Sequence, residues 1–201
     1  SDVCSSDLVM FSAVPEGLAR ALTAACGTRP ITWRYAETIG STNDAAAALA
    51  ASGAPAGTIV VADQQTAGRG RLGRSWSSPP GAGIYLTYLA RGARLVAAPG
   101  PVTLGAGVAA AEAVRAATGL APGLKWPNDL VVGDAWRKLG GILTEAHGDA
   151  VIIGVGLNVT PAAHPADVQQ RATDLESELG RPIDRDAATA MLARSEEHTS
   201  E

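Results

Sequence analysis

Gln64-Gln65-Thr66-Ala67-Gly68-Arg69-Gly70-Arg71-Leu72-Gly73-Arg74-Ser75-Trp76 directly follows an apolar run, Thr58 to Ala62, that reads as a buried strand. Gly68-x-Gly70-x-x-Gly73 has the spacing of a dinucleotide-binding turn. That turn requires a helix to open at the loop, so that a pyrophosphate can sit on its N-terminus. Here the chain runs on into Ser75-Trp76-Ser77-Ser78-Pro79-Pro80-Gly81. Two prolines and a glycine cannot continue a helix, and a doubly wound dinucleotide fold is excluded. No G-x-x-x-x-G-K-[ST] pattern occurs in the chain, which excludes a P-loop.

The same loop carries three arginines and three glycines within Gly68 to Arg74. Glycines let backbone N–H groups approach an anion closely. Arginines supply planar, permanently charged donors that match carboxylate and phosphate oxygens. A solvated basic turn is the plain alternative. Three crowded guanidinium groups repel one another unless an anion lies among them, and this favours an anion site.

Outward from the loop, the chain alternates helices and strands. Pro15 to Cys26 has Leu18 and Leu22 at helical spacing and Gly27 as a stop. Ile31 to Ala36 reads as a short strand. Ser41-Thr42-Asn43-Asp44 offers strong N-cap residues before an alanine-rich helix that ends at Gly53. Gly83 to Ala90 reads as a strand, and Pro101 to Thr118 as a long helix closed by Gly119. Short extended pieces, Leu124 to Trp126 and Leu130 to Val132, flank Pro127-Asn128-Asp129. Leu139 to Ala146 and Ala150 to Val159 read as two strands turned at Gly148-Asp149. Thr173 to Leu179 and Arg185 to Leu192 read as short helices. Strands joined by tight turns predict an α+β fold with a mixed, largely antiparallel sheet and helices packed to one side.

The chain has 201 residues, enough for one domain with a proper core. A net charge of −4 argues against bulk nucleic-acid binding, so the basic loop suits a small anionic ligand. Two cysteines, Cys4 and Cys26, provide no disulfide or metal framework. No apolar run approaches the roughly 20 residues that span a membrane, and no secretory signal is visible. A reducing cytoplasm is the expected location, and Asn158-Val159-Thr160 is then a chance sequon. Ser1 to Leu8 and Arg194 to Glu201 depart from the Ala/Gly/Val-rich style of the middle. Both resemble translated sequencing-adapter read-through. They are read as non-native tails around one domain over residues 9–193, truncated at its C-terminal end.

Five segments carry the chemistry. They are Ser41-Thr42-Asn43; Gln65-x-x-Gly68-Arg69-Gly70-Arg71-x-Gly73-Arg74-x-Trp76; Lys125-Trp126-Pro127-Asn128-Asp129; Arg137-Lys138-Leu139-x-Gly141-Ile142-Leu143-x-Glu145; and Gly154-x-Gly156-x-Asn158. In this order they resemble the biotin protein ligase family, over roughly Tyr35 to Ala193. The resemblance implies the catalytic fold shared with lipoate ligases and class II aminoacyl-tRNA synthetases. It implies a biotin–[acetyl-CoA-carboxylase] ligase that makes biotinyl-5′-AMP from biotin and MgATP, then transfers biotin to a lysine of a biotin carboxyl carrier protein.

The residues make physical sense for that chemistry. The biotin carboxylate and the ATP α-phosphate repel each other unless cations lie between them. By resemblance, Arg69, Gly70 and Arg71 close over the adenylate, and Lys138, which has no evident partner in the sequence, contacts the carboxylate or α-phosphate. Lys138 and Arg71 are thus the expected catalytic residues. Ser41, Thr42, Asn43 and Gln65 line the biotin site, where hydroxyl and amide groups match a neutral ureido ring. Helix capping is an equally physical role for Ser41 to Asn43, and the two are compatible. The ATP side comprises Arg69, Arg71, Arg74, Trp76, Lys125, Asn128, Asp129 and Asn158. Asp129 and Asn158 offer hard oxygens for magnesium. For Trp76 a core role stays open, and for Asn128 and Asp129 a turn. No enzyme nucleophile is required, and His147 and His164 have no catalytic partner by spacing.

With about 22 credible residues before Ile31, no DNA-binding domain is expected, and the activity is read as monofunctional. The rival readings are a lipoate–protein ligase and, from another class, a non-enzymatic anion- or nucleic-acid-binding module.

Overall fold

The structure is a computed structural model and describes residues 11–27, 31–161, 168 and 170–196. In chain order its elements are α1 (Glu16–Cys26), β1 (Thr32–Ile39), α2 (Thr42–Ala51), β2 (Thr58–Gln65), β3 (Gly83–Arg91), α3 (Ala93–Ala97) and α4 (Pro99–Thr118). There follow β4 (Gly123–Lys125), β5 (Asp129–Val132), β6 (Arg137–His147), β7 (Ala150–Asn158), α5 (Leu175–Leu179) and α6 (Arg185–Glu196). The strands form one sheet in the order β1-β2-β3-β7-β6-β5-β4.

The α+β class and the largely antiparallel sheet are as expected. Only β1 and β2 run parallel. The chain between them contains α2, and such a crossover is what a parallel pair needs.

Side-chain alternation gives the sheet two faces. Ile59, Val61, Ile84, Leu86, Val151, Ile153, Val155 and Leu157 lie on one, in a core shared with Leu18, Leu22, Val102, Ala106, Ala110 and Leu192 from α1, α4 and α6. Val60, Ala62, Leu89, Ala150 and Ile152 lie on the other, under Ala45, Ala46 and Ala50 of α2. Helices therefore cover both faces, where the sequence reading packed them to one side. The difference comes from α2. Its alanines lie flat on a sheet face built of small and β-branched residues, a contact that composition does not assign to either face.

Element ends move for local reasons. The α4 helix opens at Pro99, since a proline is tolerated in a first turn whose N–H groups have no intrahelical partner. Its C-terminal Gly119 adopts φ 80° and donates its N–H to Arg115 O at 2.8 Å. The α5 helix starts only at Leu175, because Asp174 is its cap and accepts the Ser177 N–H at 2.9 Å. The α6 helix continues past Leu192 and Ala193 through Glu196. The expected tail over Ser1 to Leu8, residues 197–201, Cys4 and His164 lie outside the described residues. Cys26 is buried. No helix among the described residues is long and apolar enough to cross a membrane.

At the far end of β2 from the crossover, Asp63 joins three elements. It accepts the Tyr35 hydroxyl of β1 at 2.9 Å and pairs with Arg185 of α6 at 2.6 Å. Burial, then the hydrogen bond to Asp63, pushes the Tyr35 phenol up to about 12. Burial pushes Tyr85 up to about 12 as well.

Candidate active site

On the α2 face, beyond the end of that helix, the sheet carries glycines where side chains would stand. A Cβ at Gly154 would lie 2.2 Å from Asn43 Oδ1, and one at Gly156 would lie 2.7 Å from the Trp76 indole. Their neighbour across the ladder, Gly141, faces Gly156, with Lys138 Nζ at 3.5 Å from its would-be Cβ. The three glycines form the floor of a cavity of about 280 Å³. Its walls are the N-terminus of α2, the arginine loop, Pro127 to Asp129, and Lys138.

The α2 wall is a closed set of hydrogen bonds. Thr42 donates its N–H to Gln65 Oε1 at 2.9 Å, and its Oγ1 lies 3.0 Å from the same oxygen. Gln65 Nε2 donates to Ser78 Oγ at 2.9 Å, and the Ser78 hydroxyl donates to Trp76 O at 3.2 Å. Asn43 Nδ2 donates to Glu145 Oε2 at 2.7 Å and to Leu143 O at 3.3 Å. Thr87 Oγ1 lies 2.7 Å from Asn43 Oδ1 and 2.8 Å from Thr42 Oγ1. Ser41 is the α2 cap, though its Oγ accepts the Asp44 N–H at a long 3.5 Å.

The arginine loop leaves β2 at Gln65, makes a single 3₁₀ turn at Arg71–Gly73, and returns through bonds from Gly70 N–H to Arg74 O and from Trp76 N–H to Gly68 O. Leu72 sits at its tip with φ 59° and 85% exposure. The three arginines divide. Arg69 pairs with Asp44 at 2.8 Å and Glu145 at 3.0 Å. Arg71 and Arg74 line the cavity and make no ion pair among the described residues.

Across the cavity, Lys138 Nζ pairs with Asp129 at 2.6 Å and sits 5.3 Å from the centroid of the Trp76 ring. The lysine expected without a partner thus has two. Strand pairing sets a carboxylate of β5 and a lysine of β6 in neighbouring positions, which linear spacing does not reveal. Trp76 is half-buried on Gly156, and its Nε1 is buried with no hydrogen-bond partner among the described residues.

A family model described as the biotin/lipoate A/B protein ligase family matches residues 35–158. The chain belongs to that family. It is 40% identical over 158 residues to a bifunctional ligase/repressor BirA of Bacillus spizizenii, covering 75% of this chain and 48% of that protein. It is 40% identical over 173 residues to a biotin–[acetyl-CoA-carboxylase] ligase of Mycobacterium tuberculosis, covering 81% and 62%. Among solved structures it resembles a biotin protein ligase of Aquifex aeolicus in complex with biotin and ATP (TM-score 0.72, 30% identity, 84% of this chain and 69% of that one). It also resembles the Leishmania major enzyme in complex with biotinyl-5-AMP (TM-score 0.69, 31% identity, 86% and 76%). The chain spans about half the length of the BirA relatives it matches.

Of the expected site residues, Ser41, Thr42, Asn43, Gln65, Arg69, Gly70, Arg71, Arg74, Trp76, Asn128, Asp129 and Lys138 all line this cavity. Lys125 and Asn158 do not. Lys125 ends the edge strand β4 and is exposed. Asn158 turns its amide to Thr173 O at 2.9 Å and Lys138 O at 3.5 Å, where it braces the backbone behind Lys138. Asn128 likewise donates to Ile142 O at 2.9 Å. Asp129 and Asn158, expected together at magnesium, are not brought together. Among the described residues no group of three or more His, Cys, Asp or Glu could hold a metal ion. Thr87, Ser78 and Glu145 are site residues that the sequence reading gave no role. Thr87 had a usable signal, being the one non-aromatic hydroxyl in the apolar run Gly83 to Ala90.

Proposed function

We propose that the chain is the catalytic part of an ATP-dependent biotin–protein ligase of the biotin–[acetyl-CoA-carboxylase] type. One observation carries this: twelve residues scattered from Ser41 to Lys138 converge on one cavity with a neutral hydrogen-bonding wall at one side and Arg71, Arg74 and Lys138 at the other. The relatives named for biotin, and the solved complexes with biotin, ATP and biotinyl-5-AMP, support the same reading.

The neutral wall suits the ureido ring of biotin, with Ser41, Thr42, Asn43 and Gln65 around it. The cationic side suits the anions. In the first step a biotin carboxylate oxygen attacks the α-phosphorus of ATP and pyrophosphate leaves. Lys138 and Arg71 then stand where two negative groups must approach, and the negative charge that builds on the α-phosphoryl oxygens is met by fixed cations. Arg71 and Arg74, on the loop, hold the adenylate. Trp76 offers the adenine a flat face. In the second step a lysine amine of a carrier protein attacks the acyl carbon, and AMP leaves. If magnesium accompanies ATP, Asp129, the carboxylate that lines the cavity, would be the residue to offer it an oxygen.

The activity is proposed as monofunctional and cytoplasmic, with a biotin carboxyl carrier protein as the partner. The net charge of −4 gives no broad basic field for DNA.

The test is mass spectrometry of the chain incubated with MgATP and either biotin or lipoate. Biotinyl-AMP alone is the expected product. Lipoyl-AMP alone would keep the chemistry and overturn the substrate. Neither product, together with no calorimetric biotin binding, would overturn the reading.

A further inference from the structure

We propose that Glu145 is a positioning residue that sets the hydrogen-bond polarity of the biotin wall and anchors the stem of the arginine loop. This rests on the ligase reading above.

The first half follows from counting protons. Asn43 Nδ2 faces Glu145 Oε2 and Leu143 O, both acceptors only, at 2.7 and 3.3 Å. A flipped amide would set its oxygen against a carboxylate and a carbonyl. Glu145 therefore holds Asn43 Oδ1 toward Thr87. That oxygen must receive the Thr87 proton. The Thr42–Thr87 contact at 2.8 Å then takes the Thr42 proton, and Gln65 Oε1 is satisfied by the Thr42 N–H at 2.9 Å. Gln65 Nε2 is turned to Ser78, which bonds Trp76 O on the loop. One carboxylate thus fixes the direction of the bonds from β6 through Asn43 and Thr87 to the Thr42 hydroxyl, and the Thr42 N–H carries the order on to Gln65 and the arginine loop. Gly154 keeps the seat of Asn43 open, because any Cβ there would meet Asn43 Oδ1 at 2.2 Å.

The second half is ionic. Both Glu145 oxygens lie within 3.2 Å of Arg69 Nη2, and Asp44 completes the pairing at 2.8 Å. Arg69 is therefore occupied as an anchor, and the loop's free charge falls to Arg71 and Arg74. Glu145 itself does not line the cavity.

The two halves separate by substitution. Gln at 145 still accepts from Asn43 but brings no charge to Arg69, whereas Ala loses both. Biotin dissociation constants are measured by calorimetry, and trypsin cleavage after Arg71 and Arg74 is followed by mass spectrometry without ligand. Glu145→Ala is expected to weaken biotin binding roughly tenfold, as an amide loses its charged partner. Glu145→Gln is expected to recover most of that affinity. Both variants are expected to be cleaved faster in the loop than the unsubstituted chain. Unchanged biotin affinity and unchanged cleavage in Glu145→Ala would overturn the proposal. Equal loss of affinity in both variants would overturn the polarity assignment. If Glu145→Ala does not fold, unchanged loop cleavage in Glu145→Gln would still overturn the anchor. No biotin binding by the unsubstituted chain would instead remove the ligase reading, while the cleavage arm would still report on Arg69.

Discussion

Gly154 and Gly156 stand two residues apart on one strand, yet alanine at each should have a different effect. At 154 the new methyl meets Asn43, whose amide is held by Glu145, Leu143 O and Thr87. Displacing it breaks a buried polar set, at a cost of about 1–3 kcal/mol. At 156 the methyl meets the indole of Trp76, the free end of a side chain on an exposed loop. Gly154→Ala should lower the thermal midpoint, whereas Gly156→Ala should leave it close to that of the unsubstituted chain and raise KM for ATP. A reversed pattern would contradict this account of the floor. Lys138 belongs to the same scale. Its pair with half-exposed Asp129 contributes at most about 1 kcal/mol to stability. Lys138→Ala should therefore fold normally and slow adenylate formation roughly hundredfold, a typical loss for one preorganised charge. Single-turnover rates with radiolabelled ATP check it, and a normal rate would take Lys138 out of the chemistry. Residue identity was legible here because the glycines and the lysine sit in recognisable segments. Their partners were not. Glu145 and Thr87 act through contacts 102 and 44 residues away in sequence, on Asn43, which no local spacing reports.

At the scale of elements, most helices and strands could be read from periodicity and from stops such as Gly27 and Gly119. The side of the sheet that α2 covers could not, since an alanine-rich helix has little directional pattern of its own. The two roles open for Ser41 can be separated at this scale. A helix cap contributes about 1 kcal/mol when its bond is well formed. Asp174 caps α5 with both oxygens, at 2.9 Å to the Ser177 N–H and 2.8 Å from Ser177 Oγ. Ser41 caps α2 through one contact at 3.5 Å. Asp174→Ala should therefore cost more stability than Ser41→Ala, although α5 is the shorter helix. Ser41→Ala should keep the thermal midpoint and weaken biotin binding, because the hydroxyl proton has no acceptor within the wall. Urea midpoints and biotin calorimetry decide. A large stability loss with unchanged biotin affinity would make Ser41 a cap and nothing more.

Across the whole molecule, the cavity stands on the α2 face, while the helices that bury most of the core stand on the other. The join between the sheet and the last helix runs through Asp63, which ties β1 by Tyr35 and α6 by Arg185. This arrangement makes stability depend on pH in a defined window. In the unfolded chain Tyr35 and Tyr85 lose their protons near pH 10. In the folded protein burial holds both neutral up to about 12, helped at Tyr35 by the bond to Asp63. From pH 10 to 12 the unfolded chain has therefore released protons that the folded chain still holds. Stability that is full below pH 10 must fall through that interval and be lost as pH passes about 12. Two of the chain's three tyrosines should thus ionise late, as read by tyrosinate absorbance. Urea midpoints should drop more steeply between pH 10 and 12 for the unsubstituted chain than for a Tyr35→Phe/Tyr85→Phe variant. That variant starts lower, because it lacks the bonds to Asp63 and Pro79 O. Parallel declines in the two proteins would mean that the phenols are not what fails at high pH, and would overturn this account of the window.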